Sequence, residues 1–244
     1  MTQTKDEYRP DKYKVTKDFA AVGKLCLITG AAGNAGGHFA LGMPAACGCD
    51  ALLADVEEYH EEMDEVLRDI KTAKIPGKIY VETIREEDLK ERELFYENLE
   101  EKYGNFACIL DVYGINTART FPGSADIVQL PVKSPRDLKL RYQVGDHVLF
   151  TGLRVLVIGA GGLWGSHMAA GMAAAQADLI LIDSIEKKEA VLELLETLKS
   201  GTKADIEYVS EEMMNDRAAI LSFIKEKYGM PDAILDVRHI NPEI

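Results

Sequence analysis

The sequence has no long apolar run, and basic residues are too few to balance its acidic ones. Nowhere do about 18 apolar residues follow one another, which argues against a membrane-spanning helix. The polar start MTQTKDEYRPDKYK has no apolar core of a signal peptide. A net charge of -13 disfavours a general nucleic-acid-binding role, because phosphate would be repelled. We therefore expect a soluble cytoplasmic protein with neither a membrane nor a nucleic-acid partner.

Cysteine is scarce, with only Cys26, Cys47, Cys49 and Cys108. Cys26 and Cys108 lie in apolar, strand-like runs, where a thiol is usually a small buried hydrophobe. Cys47-Gly-Cys49 could be half of a metal or redox site, but no second Cys/His pair stands near it in the sequence. The sequence therefore predicts no metal site.

What the chain has in abundance is similarity to itself. Gly30 aligns with Gly159, and the same offset brings His38 onto His167. With one residue dropped, ALLAD ending at Asp55 meets LILID ending at Asp183. Later, EKYGNFACILDVYGIN (101–116) meets EKYGMPDAILDVRHIN (226–241). Because matches keep the same order, the sequence predicts two repeats, 13–116 and 142–244, joined by a proline-containing linker, 117–141.

Each repeat alternates strands and helices. In the first, we expect strands at KLCLIT, DALLAD, KIYVE and ACILDV, with helices from about Gly37, in EEYHEEMDEVLRDIKTA and in EEDLKERELFYENLEEKYG. The second repeats this order, with strands near 153–158, 178–183, 205–209 and 232–237. This alternation predicts an α/β fold of two Rossmann-like βαβαβαβ repeats with parallel sheets in the order 3-2-1-4. Pro44 predicts that the first helix is bent or shortened.

Each first strand ends in a glycine-rich turn, LITGAAGNAGGH in one repeat and VIGAGGLWGSH in the other. Such glycines permit a tight turn, a close approach to a diphosphate and close helix–strand packing, while the helix start presents its amides. A carboxylate ending the second strand can accept hydrogen bonds from a ribose. A 2′-phosphate would be repelled there, so NAD is preferred over NADP. The predicted cofactor-binding residues are Gly30, Gly33, Gly36, Asp55, Gly159, Gly162, Gly165 and Asp183.

The segment TGAAGNAGG is similar to the TGxxGxxG pattern of extended, epimerase-like short-chain dehydrogenases/reductases, and GLWGSH resembles the same turn. ILDVYGIN and ILDVRHIN resemble the fourth strand and the Asn-Asn-Ala-Gly segment of that family. The resemblance covers 13–116 and 142–241. It implies a Rossmann fold, a nicotinamide cofactor, and a nucleotide sugar or small carbonyl compound as substrate.

The chain departs from the family pattern at the catalytic positions. The family places a serine and a Tyr-x-x-x-Lys pair after the fourth strand, where the tyrosine exchanges a proton with the substrate. Here the only Tyr-x-x-x-Lys strings, Tyr8 to Lys12 and Tyr13 to Lys17, precede the first strand. The catalytic residues are therefore unknown. For His38 and His167, packing or a hydrogen bond at the helix start is favoured over an acid/base role.

Three interpretations stay open. The first is a dinucleotide-binding protein without the usual catalytic pair, acting as a sensor, a scaffold or a part of a larger oxidoreductase. The second is an active enzyme that uses unorthodox acid/base residues at the fourth-strand ends: Asp111, Tyr113, Asp236 and His239. The third is an assembly module that has lost its ligand. Because an apolar fourth strand at a sheet edge needs a cover, we also expect a pseudo-two-fold pairing of the repeats, within the chain or in a homo-oligomer.

Overall fold

The computed structural model describes residues 21–75, 77–116, 150–198 and 203–240. By its contacts the chain forms two compact units, Met1–Leu110 and Asp111–Ile244. The predicted linker 117–141 lies outside the described residues, as do Tyr8 and Tyr13 and the outer ends of both predicted repeats. The predicted repeat boundaries therefore stay predictions.

The first unit alternates strands and helices around a sheet of order β3-β2-β1-β4. Strands β1, β2 and β3 are parallel, with Leu27 opposite Leu52 and Leu52 opposite Tyr80. The order 3-2-1-4 was predicted from the sequence and is confirmed. The elements are β1 Leu25–Thr29, α1 Asn34–Cys47, β2 Asp50–Val56, α2 His60–Ala73, β3 Ile79–Ile84, α3 Glu86–Lys90, α4 Arg92–Tyr103 and β4 Phe106–Asp111.

The second unit has the same succession of elements and the strand order β7-β6-β5-β8. Its strands β5, β6 and β7 are parallel, and β8 pairs with β5 in parallel, with Leu156 opposite Ile234. The predicted α/β class with parallel sheets is confirmed. The elements are β5 Arg154–Ile158, α5 Leu163–Ala174, β6 Asp178–Ser184, α6 Lys188–Thr197, β7 Ala204–Val209, α7 Glu211–Met214, α8 Arg217–Tyr228 and β8 Ala233–Asp236.

The core of each unit lies on its central strands. The continuous apolar runs of β1 and β5 are buried almost throughout, as expected for parallel strands covered on both faces. Helix α2 buries Met63 and Ile70. The flanking strands β3 and β7 are mostly half-buried. Within the described residues, no helix is long and apolar enough to cross a membrane.

The first helix differs from its prediction at both ends. It begins at Asn34 rather than near Gly37, because Gly33 takes the extended cap conformation. Pro44 predicted a bent or shortened helix, and the shortening is wrong: α1 has 14 residues and α5 has 12. A proline removes one hydrogen bond without preventing later residues from bonding. Helix α1 ends at the left-handed Gly48.

The predicted helix EEDLKERELFYENLEEKYG is two helices. The break falls at Glu91, whose backbone leaves the helical region with φ -122 and ψ 58. Asp88 accepts a hydrogen bond from the Arg85 backbone N–H at 2.8 Å, which favours a short helix start before the longer one. The second unit breaks at the matching place, where Ser210 caps α7 and Asp216 caps α8.

Candidate functional site

The structure places both glycine turns directly between a first strand and the start of a helix. Gly30 follows β1 with φ 68, and Gly159 follows β5 with φ 87, a left-handed conformation that strains residues with a side chain. Gly33 caps α1 and Gly162 caps α5 in extended conformations, and a glycine cap has no side chain with which to bond the helix start.

Gly36 and Gly165 permit the close approach of each helix to its own turn. A Cβ atom on Gly36 would lie 1.9 Å from the carbonyl oxygen of Gly30. The same atom on Gly165 would lie 1.9 Å from the oxygen of Gly159. No real Cβ tolerates such a contact, so the third glycine of each motif is required by packing alone, whatever the turn binds.

The two strand-end carboxylates bind the glycine turns of their own units. Asp55 accepts the Ala32 N–H at 2.8 Å on one oxygen and the Val56 N–H at 2.9 Å on the other. Asp183 accepts the Gly161 N–H at 2.7 Å and the Ser184 N–H at 2.8 Å in the same manner. Both carboxylates are buried, with 4% and 6% exposure. Each therefore fixes the glycine turn of its own unit, and its predicted contact with a ribose stays a prediction.

The second carboxylate lies beside a lysine. Burial raises the pKa of Asp183, while the Gly161 and Ser184 amides and the charge of Lys187 oppose that rise. A Cβ atom on Gly161 would lie 3.0 Å from the Cβ of Lys187, so the lysine starts at the rim of the turn. The turn amide and the lysine were not singled out from the sequence. The pattern DSIEKK, with two lysines soon after the strand-end carboxylate, is the signal that was available.

The fourth-strand ends hold the alternative acid/base candidates. Asp236 is locked to Arg238 by hydrogen bonds at 2.8 and 2.6 Å, and both side chains are buried. The guanidinium also donates to the carbonyl oxygen of Met214. Asp111 is buried and accepts the Tyr113 N–H at 3.3 Å, whereas His239 is exposed. A carboxylate held by a buried arginine is poorly suited to act as a base, which weakens the case for Asp236.

The two histidines beside the turns are exposed. The Nδ1 atom of His167 lies 2.8 Å from the carbonyl oxygen of Leu163, one turn earlier in α5. This contact is the hydrogen bond at the helix start that the sequence favoured for His167.

All four cysteines come together in the core of the first unit. Their exposure is at most 1%, and Cys26 lies beside Cys108 and Cys49. The Cys47 thiol donates to the carbonyl oxygen of Met43 at 2.8 Å. Hydrogen bonding between neighbouring thiols and burial raise the pKa of Cys26, Cys47 and Cys49. No group of ligands able to hold a metal occurs among the described residues. Burial of Cys26 and Cys108 was predicted, but the contact with Cys49 was not.

The EKYG motif, which occurs in both repeats, joins the end of a helix to a neighbouring strand. In the first unit Lys102 and Tyr103, at the end of α4, both hydrogen-bond the Glu82 carboxylate on β3. In the second, Lys227 and Tyr228 hydrogen-bond Glu207 on β7. Each set fastens a helix end to a flanking strand. The sequence comparison had matched these motifs without assigning them a partner.

No family model matches the chain, and no curated protein does. Several solved structures resemble it at low identity. A short-chain type dehydrogenase/reductase from Mycobacterium marinum shares 15% identity over 88% of this chain and 71% of its own, with TM-score 0.32. L-sorbose reductase from Gluconobacter frateurii, complexed with NADPH and L-sorbose, shares 14% over 91% and 88%, with TM-score 0.33. A short chain dehydrogenase/reductase from Burkholderia phymatum in complex with NAD shares 14% over 91% and 90%, with TM-score 0.29. These values carry no argument about function, which must come from the chain's own residues.

Proposed function

We propose that this chain is a nicotinamide-dinucleotide-binding protein like the short-chain dehydrogenases, in which at least one glycine turn holds the diphosphate. The supporting observation is an arrangement present in both units. A strand, a glycine turn and a helix without a side-chain cap are joined to a carboxylate that bonds a turn amide. The helix start suits a diphosphate, because its amides and dipole favour an anion.

The donor and acceptor set fits the adenosine half of the cofactor. A carboxylate has about four lone-pair sites, and Asp183 uses two of them for the Gly161 and Ser184 amides. Its remaining sites suit ribose hydroxyls. The same negative charge disfavours a 2′-phosphate, which supports NAD over NADP. A bound nicotinamide supplies the capacity to give or take a hydride.

The proposed role does not include the tyrosine-dependent catalysis of the family. The sequence places no Tyr-x-x-x-Lys pair after a fourth strand. The proposed role is therefore a cytoplasmic dinucleotide sensor, or one part of a larger oxidoreductase acting on a small carbonyl compound or nucleotide sugar. We propose repeats at 13–116 and 142–244 with a linker at 117–141, and an intrachain pseudo-dimer or a homo-oligomer.

One observation favours a second candidate, a ligand-free assembly module. Asp55 and Asp183 are buried and bonded to their own turns, which is also what a purely structural carboxylate would do. The two candidates differ in whether the turn binds an anionic ligand in solution.

Titration with NADH separates the candidates. Trp164, the only tryptophan, lies at the second turn, so bound NADH should quench its emission and excite the nicotinamide by energy transfer. We expect binding with NADH and weaker binding with NADPH. Absence of any response at millimolar NADH would favour the assembly module. Binding without turnover of carbonyl and sugar-nucleotide substrates would favour the sensor, and turnover would favour the enzyme.

A further inference from the structure

The two glycine turns share their backbone geometry. They differ in the segments that follow the strand-end carboxylates, residues 57–62 and 185–190, which we call the first and the second rim. Resting on the proposed function, we infer that the second turn, at Gly159–Gly165, binds the dinucleotide and that the first has a structural role. The difference lies in charge, in the residue opposite the strand-end carboxylate, and in one side chain of the turn itself.

The segments that follow the two carboxylates carry different charge. Residues 57–62, EEYHEE, hold four carboxylates and no lysine or arginine. Residues 185–190, IEKKEA, hold two carboxylates and two lysines. With histidine neutral, the segment charges are -4 and 0. Because the diphosphate is itself anionic, the first rim repels it and the second does not.

The two lysines lie at the edge of the second turn. Lys187 approaches Gly161, the residue whose amide binds Asp183. Lys188 lies 6.0 Å from the ring of Tyr208. Both lysines are exposed. In the first unit the position of Gly161 is taken by Ala32, a buried residue with a methyl group that glycine lacks.

The strand opposite each carboxylate supplies the second difference. Tyr208 on β7 is in register with Asp183 on β6, and neighbours in register on parallel strands point to the same face. The Tyr208 hydroxyl is buried and has no hydrogen-bond partner within the described part of the chain. A buried hydroxyl without a partner is costly, so a polar group of a ligand would stabilise it.

The first unit has already satisfied the matching position. Thr83 is in register with Asp55, and its hydroxyl donates to Glu57 at 3.5 Å. That contact ties an exposed carboxylate of the rim to the neighbouring strand. The first rim therefore pairs its Thr83 hydroxyl with a glutamate, while the second has two exposed lysines and a buried Tyr208 hydroxyl without a partner in the described part of the chain.

Calorimetry with NADH on the full chain tests the inference, together with Trp164 emission. We expect one NADH per chain. Asp183→Ala should weaken binding about tenfold or more, since hydrogen bonds to charged groups are strong, and Asp55→Ala should weaken it far less. If Asp183→Ala fails to fold, Asp183→Asn keeps an acceptor for the Gly161 N–H. This variant should weaken NADH binding less than Asp183→Ala, because it removes only the negative charge.

A graft of the first rim onto the second isolates the lysines. Positions 187 and 188 of the second unit match Tyr59 and His60 of the first. The double variant Lys187→Tyr with Lys188→His therefore gives the second unit the residue types of the first. We expect about three- to tenfold weaker NADH binding and a shallower salt dependence. Lys203→Tyr with Lys225→His removes two exposed lysines elsewhere in the unit and should change neither. Tyr208→Phe should weaken binding about threefold or more.

The outcomes distinguish the assignment of the site to the second turn from the proposed dinucleotide binding itself. Two NADH molecules per chain, or a larger loss with Asp55→Ala than with Asp183→Ala, would overturn the assignment to the second turn and leave the proposed function standing. No NADH binding by the unmodified chain would overturn the proposed function itself. An unchanged affinity in the lysine graft would remove the role of the rim charge.

Discussion

The two units share the backbone geometry of their glycine turns and two sets of side-chain contacts, and they differ in their buried cores and in the residues around the turns. Both have a left-handed glycine after the first strand, a 1.9 Å constraint at the third glycine and a carboxylate bonded to the turn. Both fasten a helix end to a flanking strand through Glu, Lys and Tyr. These shared contacts define what the fold itself requires.

The differences lie in the core and at the rims. Where the first unit buries four thiols, the second has Val155, Ala175, Ala177 and Ala233, all buried. The end of β4 has Asp111 followed by Tyr113, while the end of β8 has the Asp236–Arg238 pair. The geometry of the glycine turns does not fix the residues at which the units differ. A difference in function between the two units must therefore come from these residues.

The largest expected effect tests the shared turn geometry. Gly36→Ala and Gly165→Ala each force a Cβ atom onto a carbonyl oxygen of the turn. We expect each to lower the free energy of unfolding of its unit by more than about 4 kcal/mol. Denaturant unfolding measures the change. If one variant were tolerated, the two turns would not be equivalent.

A matched control comes from the same two helices. Gly42 and Gly171 lie inside α1 and α5, and a Cβ atom on either would meet nothing within 4 Å. Gly42→Ala and Gly171→Ala should each stabilise the protein by about 0.5–1 kcal/mol, because alanine loses less backbone entropy than glycine in a helix. Destabilisation by these controls would show that the helices tolerate no added methyl group, rather than that the turns are special.

The next effect concerns a contact found in the second unit. Arg238→Ala leaves the buried Asp236 carboxylate without its guanidinium partner. We expect a loss of about 3 kcal/mol of unfolding free energy, because an uncompensated buried charge is costly. The double variant Asp236→Ala with Arg238→Ala should recover most of that loss. If the single variant were neutral, the pair would contribute nothing and Asp236 would return as a candidate base.

Much of the fold follows from the sequence because it is written in local patterns. The apolar runs give the strands of β1 and β5, and the glycine strings give the turns. The predicted start of α1, near Gly37, is wrong. The cap residue Gly33 has no side chain, so the sequence lacks the serine, threonine or aspartate that usually marks the start of a helix. It missed the break at Glu91 because the amphipathic spacing continues across it.

The site is less predictable, since its contacts depend on sheet order and register. That Cys49 meets Cys26 follows from β1 and β2 being neighbours and from where the chain leaves Gly48. The link from Arg238 to Met214 joins residues 24 positions apart. The Tyr208 hydroxyl becomes notable only when β7 is known to lie beside Asp183. Tertiary pairing, which spacing alone does not encode, decides these features.

A smaller effect is expected from the Glu-Lys-Tyr contacts shared by the units. Burial favours the neutral acid, but hydrogen bonds from lysine and tyrosine prevail and lower the pKa of Glu82 and Glu207. A lowered carboxyl pKa adds stability above the unfolded value of about 4.3, and this stability is lost as the pH falls through the folded pKa. Glu82→Gln and Glu207→Gln should each cost about 1 kcal/mol at pH 7 and flatten the acid limb of stability.

Controls for these variants lie in the same motif. Glu101→Gln and Glu226→Gln change exposed glutamates next to the two lysines and should alter stability by less than about 0.5 kcal/mol. Unfolding curves measured between pH 3 and pH 8 compare the four variants. An effect on only one unit would show that the shared contact has different weight in each.

The smallest expected effect tests whether the thiols of the first unit are more than packing. Replacing them by the buried residues of the second, through Cys26→Val, Cys47→Ala, Cys49→Ala and Cys108→Ala, should change stability by about 1 kcal/mol or less per site. The raised pKa of Cys26, Cys47 and Cys49 keeps these thiols protonated, so a thiol reagent should label the native chain slowly and all four cysteines after unfolding. Rapid labelling of the folded protein, or a change in stability on oxidation that the substituted variant lacks, would show that this cluster does chemistry that the second unit does not share.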